Sequence, residues 1–262
     1  MSVNLHNIAR GLQDDYISKM SPYTFIGTFV ETRTIILKGG IQRKSKIIFS
    51  NYEDAQSNYG YTNMRFNGDY NQILSIKLQL GGTEFDSIYP RITQKLSTFP
   101  VMDNNILPAL NQSDGQILIE HSGDLEIKYD IMRITNFLKD NNLYEFLYNF
   151  TQFTGIKEVS GSSAKVKLYF DHPTTKITVI TDHPISDAIM HLVTGHNGCP
   201  LTPVANGHNW TYEYMFDPTV NFSTIDCPFI ECKLEKETKI AVFAQSLNVA
   251  KLNRDLIGVA YS

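Results

Sequence analysis

The chain is poor in charge. Only 19% of its 262 residues are Asp, Glu, Lys or Arg, and the formal net charge is -4. Proteins that coat nucleic acid with their own surface carry a basic excess, because phosphate charge is neutralised by Lys and Arg. The lack of such an excess argues against a general nucleic-acid coat. We therefore expect no direct contact with nucleic acid.

Cysteine is also scarce, with Cys199, Cys227 and Cys232 as the only three. An odd number without a Cys-x-x-Cys pair argues against a disulfide framework and predicts reduced thiols. No apolar run approaches the roughly 18–20 residues that span a bilayer. No secretory signal pattern opens the chain. We therefore expect a protein of a reducing compartment.

The sequence lacks the common catalytic motifs: a dinucleotide fingerprint, a phosphate loop, His-Glu-x-x-His, a nucleophile elbow and an EF-hand loop. The nearest approach to a metal centre is the set His191, His196, Cys199 and His208, whose nitrogen and sulfur atoms suit zinc. Their spacings of five, three and nine match no common zinc pattern. We expect no metal and no cofactor.

Two Asp-His-Pro triplets begin at Asp171 and Asp182. Neighbouring residues on a strand point to opposite faces of the sheet. Direct pairing of Asp171 with His172, or of Asp182 with His183, is therefore disfavoured. Without a paired base, nucleophilic catalysis has no support, and we predict that the chain is not an enzyme.

What the sequence does contain is a long series of short strands. Hydrophobic residues make up 42% of the chain, and from residue 23 apolar and polar residues alternate. Strands recur about every 8–12 residues with Pro, Gly or Asn between them, as in all-β sandwiches and barrels. We predict an all-β chain of two tandem eight-stranded antiparallel units, with strands at 23–30, 32–38, 45–50, 63–66, 72–80, 84–89, 115–121, 124–132, 164–170, 175–181, 187–193, 209–216, 227–234, 238–246 and 255–261.

Two helices and one linker complete the predicted organisation. Apolar residues at spacings of three and four predict an amphipathic helix over 3–20. A second helix is predicted over 136–150, and the Gly/Ser-rich stretch 154–164 predicts a linker. The resulting division is an amphipathic arm at 1–22, a first unit with its linking helix at 23–157, and a second unit at 158–262.

Five segments, taken in order, resemble one protein family. They include a strand with a Gly-Gly turn, an aromatic-Thr-Gly step, a hairpin with His-Pro, a Pro-x-x-Asn-Phe-Ser-x-Ile-Asp loop, and an Ala-Tyr-Ser ending. The chain resembles the major capsid proteins of nucleocytoplasmic large DNA viruses, the iridovirus and phycodnavirus type. The segments are ILSIKLQLGGTEFDSIYP (73–90), LYEFLYNFTQFTG (143–155), KVKLYFDHPTTKITVIT (165–181), FDPTVNFSTIDCPFIECKL (216–234) and KIAVFAQSLNVAKLNRDLIGVAYS (239–262).

The resemblance implies two jelly rolls side by side and a homotrimer with a pseudo-hexagonal outline. Such trimers tile an icosahedral shell, so the implied partners are further copies of the chain, neighbouring capsomers, minor capsid proteins and an internal membrane. The implied location is the virion, with assembly in the host cytoplasm. A minor or scaffolding capsid paralogue is an alternative within the same family.

Interfaces between subunits are expected in three segments, at 5–16, 136–150 and 194–208. The segment 5–16 either caps the end of a barrel or forms an arm that reaches a neighbouring subunit or a membrane. The segment 136–150 is either buried between the two barrels or exposed at an interface. The candidate interface residues are Leu5, Ile8, Leu12, Tyr16, Phe146, Phe150, His196 and His208.

Two further surface hypotheses come from the residues alone. The basic run Arg43, Lys44 and Lys46 predicts a solvated turn, or a contact with an acidic partner or a lipid headgroup. A sugar-binding jelly roll is the alternative from a different functional class. Its only aromatic cluster is Trp210, Tyr212 and Tyr214, which alternate along one predicted strand and share a face.

Overall fold

A computed structural model of the chain describes residues 27–49, 59–99, 102, 115–134, 144–192, 198–205, 209–253 and 256–259. Antiparallel strands dominate these residues, which confirms the all-β prediction. Within this part of the chain, no helix is long and apolar enough to cross a membrane. The predicted helix at 3–20 lies outside the described residues.

The strands form where one face of an alternating segment can be buried. In strand β6 (Gln116–His121), Ile117 and Ile119 are fully buried while the Glu120 side chain between Ile119 and His121 remains partly exposed. Strand β9 (Ser163–Lys167) alternates in the same way. β-branched side chains on the buried face pack well on a pleated surface, so the sequence pattern and the strand reinforce each other.

The first jelly roll consists of two sheets with the strand orders β1-β7-β3 and β2-β6-β4-β5. Its first strand pairs with its last, β1 with β7, and its second strand pairs with β6. This nested pairing is the wrapped Greek key of a jelly roll. The strands are β1 (Gly27–Leu37), β2 (Arg43–Ile48), β3 (Tyr59–Gly68), β4 (Ile73–Leu80), β5 (Thr83–Ile88), β6 and β7 (Leu125–Ile134), with a short helix α1 (Pro90–Thr93) after β5.

Three details of the first roll differ from the prediction or refine it. The predicted strands 23–30 and 32–38 form one strand over the described residues, with a bulge between Phe29 and Glu31. Gly81 and Gly82 form the predicted tight turn, with φ of +56° and +83°. The turn predicted at Asn67-Gly68 is wrong, because β3 continues through Gly68 and the chain then crosses to the other sheet.

The second jelly roll repeats the nested plan. Its sheets have the orders β8-β16-β10-β14-β13 and β12-β11-β15-β9. Again the first strand pairs with the last, β8 with β16, and β9 pairs with β15. The strands are β8 (Tyr144–Val159), β9, β10 (Pro173–Thr181), β11 (Ile185–His191), β12 (Cys199–Pro200), β13 (Thr202–Val204), β14 (Trp210–Asn221), β15 (Phe229–Leu234) and β16 (Thr238–Asn253).

The predicted linking helix at 136–150 is wrong over residues 144–150, which begin strand β8. Its aromatic residues also fit a period of two, and pairing with β16 favours the extended form. The predicted linker at 154–164 is also wrong, since β8 runs to Val159 and β9 begins at Ser163. Only a three-residue turn, 160–162, separates the two strands.

The chain divides into two compact units, and the division does not follow a single cut. One unit is Thr151–Leu247 and the other contains the described residues of Met20–Phe150 and Asn248–Ser262. The last strand, β17 (Leu256–Val259), pairs with Ala250–Asn253 of β16 and belongs with the first roll. The predicted second unit at 158–262 therefore extends too far, because its described residues end with the Thr238–Leu247 part of β16.

Each roll has its own hydrophobic core. The core of the first roll is rich in isoleucine and aromatic residues, and that of the second roll contains more valine and alanine. Burial of this apolar surface is the main driving force for the fold. The fully buried members include Ile73, Ile76, Leu78, Phe99, Ile117 and Ile127 in the first core, and Ile177, Val179, Met190 and Ala244 in the second.

Candidate functional site and assembly surfaces

Asp171 and His172 contact each other directly, so the prediction that they would not pair is wrong. His172 Nδ1 donates to Asp171 Oδ1 at 2.5 Å. The two residues lie in the connection between β9 and β10, where the alternation of side chains along a strand does not apply. In the second triplet, Asp182 Oδ1 instead accepts the backbone N–H of Lys239 at 2.8 Å.

The Asp171–His172 pair is one end of a polar network inside the second roll. Gln152 Nε2 donates to Asp171 Oδ1, and Gln152 Oε1 accepts the Ser246 hydroxyl at 3.1 Å. The Ser246 and Thr174 hydroxyls lie 3.1 Å apart, and both residues are fully buried. The network therefore satisfies side chains that would be costly to bury without partners.

The charge of Asp171 is stabilised in this network. Partial burial alone would raise the pKa of Asp171, but hydrogen bonds from Gln152 and His172 outweigh it and lower the pKa below its ordinary value. The side chain of Asp171 is 65% exposed. Each of these polar groups has a structural partner, so the arrangement accounts for stability.

Two members of the candidate metal set are described, and they lie on adjacent strands. His191 ends β11 and Cys199 begins β12, whose pairing places Met190 opposite Cys199. His191 stacks on Phe229 with ring centroids 4.7 Å apart, and its Nε2 lies 3.5 Å from Glu231. His196 and His208 lie outside the described residues. Within the described part of the chain, no three His, Cys, Asp or Glu residues are grouped to hold a metal ion.

The aromatic cluster proposed for sugar binding is not a shared exposed face. Tyr212 is 6% exposed, and its hydroxyl donates to Ile185 O and accepts from Ile185 N, both at 2.9 Å. Tyr214 packs on the core and on Phe216, with ring centroids 5.1 Å apart. Only Trp210 is open to solvent, at 50% exposure. A single exposed ring does not make the aromatic groove that a sugar-binding site needs.

The candidate interface residues fall mostly outside the described residues. Leu5, Ile8, Leu12, Tyr16, His196 and His208 lie there, and Phe146 is in β8 without a described side chain. Phe150 is partly buried and packs against the first core. Its ring lies 5.9 Å from that of Tyr148, so Phe150 contributes to the core of the first roll.

An exposed apolar surface on strand β1 was missed by the sequence reasoning. Phe29 is 61% exposed and Ile36 is 60% exposed, on an edge strand of the β1-β7-β3 sheet. Ile41, in the turn that follows, is fully exposed. The available signal was the run of strand-forming residues at 27–37, but alternation alone could not say that Ile36 faces solvent while Ile35 and Leu37 pack against the core. Large apolar side chains exposed on an edge strand make this strand a candidate interaction surface.

The basic run predicted near residue 43 lies on an open sheet face. Lys44 and Lys46 project from β2, on the same face as Glu120 and Leu118 of the paired strand β6. Lys44 Nζ forms an ion pair with Glu120 at 3.1 Å. Arg43 instead donates to the Lys38 carbonyl at 3.3 Å. The two lysines, rather than the whole run, therefore define a positively charged surface.

No protein-family model matches the chain, and no curated protein matches it in sequence. Its fold, however, matches solved virus structures. The chain is similar to VP54 of the virus PBCV-1, solved as a crystal structure and fitted into a reconstruction of the virophage Sputnik. The TM-score is 0.70 at 13% identity, with 92% of this chain and 99% of that chain covered. A chain of the PBCV-1 virus capsid gives a TM-score of 0.63 at 13% identity over the same shares of both chains.

These similarities cover nearly the whole of both chains, so both rolls and their order along the sequence are shared. The chain has the double jelly-roll fold of these viral capsid proteins, which confirms the predicted fold class and architecture. At 13% identity the shared feature is the path of the backbone rather than particular side chains. Function therefore has to be argued separately.

Proposed function

We propose that the chain is a structural protein of an icosahedral viral shell and assembles into homotrimers that act as pseudo-hexagonal capsomers. The observation that carries this proposal is the end-to-end match to a viral capsid chain, over 92% of this chain and 99% of the other. Two similar rolls in one subunit give six rolls in a trimer, which suits a six-fold lattice position. The role is structural, and no residue is assigned to catalysis.

The exposed surface of the first roll supports an assembly role. Phe29 and Ile36 present large apolar side chains on an edge strand, and Ile41 extends from the next turn. In a protein that functions as a monomer, we expect such apolar side chains to be covered or replaced by polar ones. In a closed ring of three copies, a heterologous interface covers such a surface on every subunit.

The N-terminal segment 1–22 is the proposed contact with a neighbouring subunit or an internal membrane. Its residues Leu5, Ile8, Leu12 and Tyr16 recur at helical spacing, which is the basis of the proposal. The double variant Ile8→Asp and Leu12→Asp removes the apolar stripe. We expect it to weaken assembly of trimers into larger arrays, while Asp14→Asn leaves assembly unchanged.

Light scattering combined with negative-stain electron microscopy tests the central proposal. We expect a particle of three times the 29.8 kDa chain mass with a hexagonal outline. A protein that stays monomeric at low micromolar concentration would contradict a capsomer role. Phe29→Asp is expected to reduce the trimer fraction, and Thr34→Asp on the same exposed strand, opposite Lys128, gives a comparison with the same added charge.

A further inference from the structure

The outer face of the β2-β6-β4-β5 sheet contains a cleft of about 530 Å³. Leu118 of β6 lies on its floor, and Ile92 of α1 contributes to its wall. Strand register places Lys46 of β2 opposite Leu118 on one side and Lys77 of β4 opposite Leu118 on the other. The cleft therefore has an apolar centre with an ammonium group on each side.

The charges around the cleft are unequally satisfied. Lys44 Nζ pairs with Glu120 at 3.1 Å, and Lys77 Nζ pairs with Glu84 at 2.8 Å. Lys46 is exposed and has no ion pair with any described residue. The hydrogen bond and charge of Glu84 oppose the effect of burial and raise the pKa of Lys77. The surface thus carries a positive charge at Lys46 beside an open apolar floor.

This combination fits an acidic peptide better than a membrane. Adjacent strands are about 4.8 Å apart, so the Lys46 and Lys77 backbones are separated by roughly 10 Å. On an extended peptide, residues i, i+2 and i+4 point to one face, and residues i and i+4 are roughly 13 Å apart. Carboxylates at i and i+4 therefore reach the two lysines, and an apolar side chain at i+2 lies over Leu118. Stable binding to an anionic membrane surface instead calls for about four to eight basic residues, more than the cleft offers.

We propose that this cleft binds an acidic peptide segment of another polypeptide, in which two carboxylates flank an apolar residue. The apolar residue covers Leu118 and Ile92, and the carboxylates approach Lys46 and Lys77. This inference does not depend on the proposed capsid function, because it rests on the register and charges of a single sheet. Its partner is defined by this chemistry: an extended segment with an acidic residue, an apolar residue two positions later and a second acidic residue two positions after that, all on one face.

Photo-crosslinking tests the site directly. The probe is a biotinylated Gly-Glu-Gly-photoleucine-Gly-Glu-Gly peptide, incubated with the full-length protein and irradiated, with the crosslinked residues mapped by mass spectrometry. We expect crosslinks at Leu118 or Ile92. Lys46→Glu should lower the yield about tenfold, because it replaces an attraction with a repulsion at short range. A probe with Gln in place of both Glu residues should crosslink about tenfold less for the same reason.

The matched control is Lys167→Glu, which makes the same charge change on an exposed position of β9 in the second roll. It should leave the crosslinking yield within about twofold of wild type, because Lys167 does not line the cleft. Thermal unfolding of both variants verifies that they fold. Crosslinks that lie elsewhere, or that the two variants reduce equally, would overturn the proposal.

Sedimentation with vesicles of phosphatidylcholine and phosphatidylserine tests the alternative that this face binds lipid. If the protein sediments with these vesicles in a manner that depends on Lys46, while the peptide does not crosslink at the cleft, the face binds lipid and the peptide proposal is wrong. Binding of the peptide at Leu118, with vesicle binding that Lys46→Glu does not alter, supports it.

Discussion

The two jelly rolls follow the same strand plan with different interiors. The first roll buries Phe49, Tyr61 and Tyr129 as a cluster with ring centroids 5.0 to 5.5 Å apart. It also stacks Phe85 on Tyr148 at 4.1 Å. The core of the second roll contains more small side chains, among them Ala164, Ala188, Cys232 and Ala244, beside the ring contacts of Phe222. The difference shows that nested strand pairing requires alternating apolar residues and a sufficient total side-chain volume in the core, but no particular set of core residues.

The rolls also differ in how each one buries a histidine. His121 of the first roll is fully buried and donates from Nδ1 to Gly123 O at 2.7 Å, so its Nε2 accepts the Ser45 hydroxyl at 2.7 Å. His172 of the second roll instead donates to a carboxylate, that of Asp171. One roll thus stabilises a buried histidine with neutral partners, and the other couples it to a charge that titrates in acid.

The largest effect is expected from the core aromatic residues. Phe85→Ala removes the ring stacked on Tyr148 and leaves a cavity, which should cost about 3–5 kcal/mol of unfolding free energy. Phe222→Ala in the second roll, where Phe222 contacts Phe170 and Phe216, should cost a similar amount. Chemical denaturation measures both values.

Hydrogen exchange then identifies the strands in which each variant loses protection. We expect Phe85→Ala to reduce protection chiefly in β4, β5 and β6, and Phe222→Ala chiefly in β10, β14 and β15. If either variant lowers protection equally in both rolls, the rolls unfold as one cooperative unit, and the comparison of separate cores does not apply to stability.

A smaller effect is expected from the buried polar network of the second roll. Thr174→Val keeps the shape of the side chain but removes the hydroxyl that contacts Ser246 and donates to His172 O at 3.1 Å. Leaving these buried groups without a partner should cost about 1–3 kcal/mol by urea denaturation. Thr175→Val is the control, because the Thr175 hydroxyl makes only one bond, to Gln245 O, and is less buried. An equal cost for both variants would contradict the network as a special feature.

Turn glycines give a matched pair, one in each roll. Gly82 has φ of +83° and Gly161 has φ of +107°, with no atom closer than 3.9 Å to an added Cβ at either position. Alanine at either site should cost about 1–2 kcal/mol through backbone strain alone. Thermal unfolding measures the loss.

Asparagine at the same two positions sharpens the test, because Asn tolerates the left-handed region better than Ala. Gly82→Asn should recover part of the loss. Gly161→Asn should recover less, since its φ lies further from the left-handed helical value near +57°. Equal recovery at both positions would contradict backbone strain as the cause.

The smallest effect is the acid response of Asp171. Its pKa is lower in the folded protein than the ordinary 3.8, so its stabilising contribution is present above 3.8 and is lost as the pH falls below that value. Asp171→Asn should remove this part of the pH dependence, a change of a few tenths of a kcal/mol for a largely exposed carboxylate. Denaturation from neutral pH to below 3.8 measures it.

Asp124→Asn provides the comparison in the first roll. The pKa of Asp124 is also lowered, chiefly by a hydrogen bond from the Gly39 backbone N–H and by Lys38, and His121 makes the smallest contribution. We expect its removal to have a weaker effect on the acid transition. If Asp171→Asn leaves the transition unchanged, the coupling to His172 does not contribute to stability.

The sequence by itself determined the strands and the all-β class. Alternation in segments such as 116–121 and 229–234 is local, so it predicts a strand without knowledge of its neighbours. The turn at Gly81-Gly82 was equally predictable, because only glycine adopts two successive positive φ values without strain. The resemblance to viral capsid proteins added the prediction that the two units are jelly rolls.

Only the tertiary structure decided what depends on neighbours across the sheet. Residues 144–150 fit a helix or a strand, and pairing of β8 with β16 selects the strand. Asp171 meets His172 because both lie outside the strands, and Lys46 and Lys77 flank Leu118 because of β2-β6-β4 register. These contacts join residues far apart in sequence or in irregular loops. Their geometry follows from closure of the whole sheet, which no local pattern encodes.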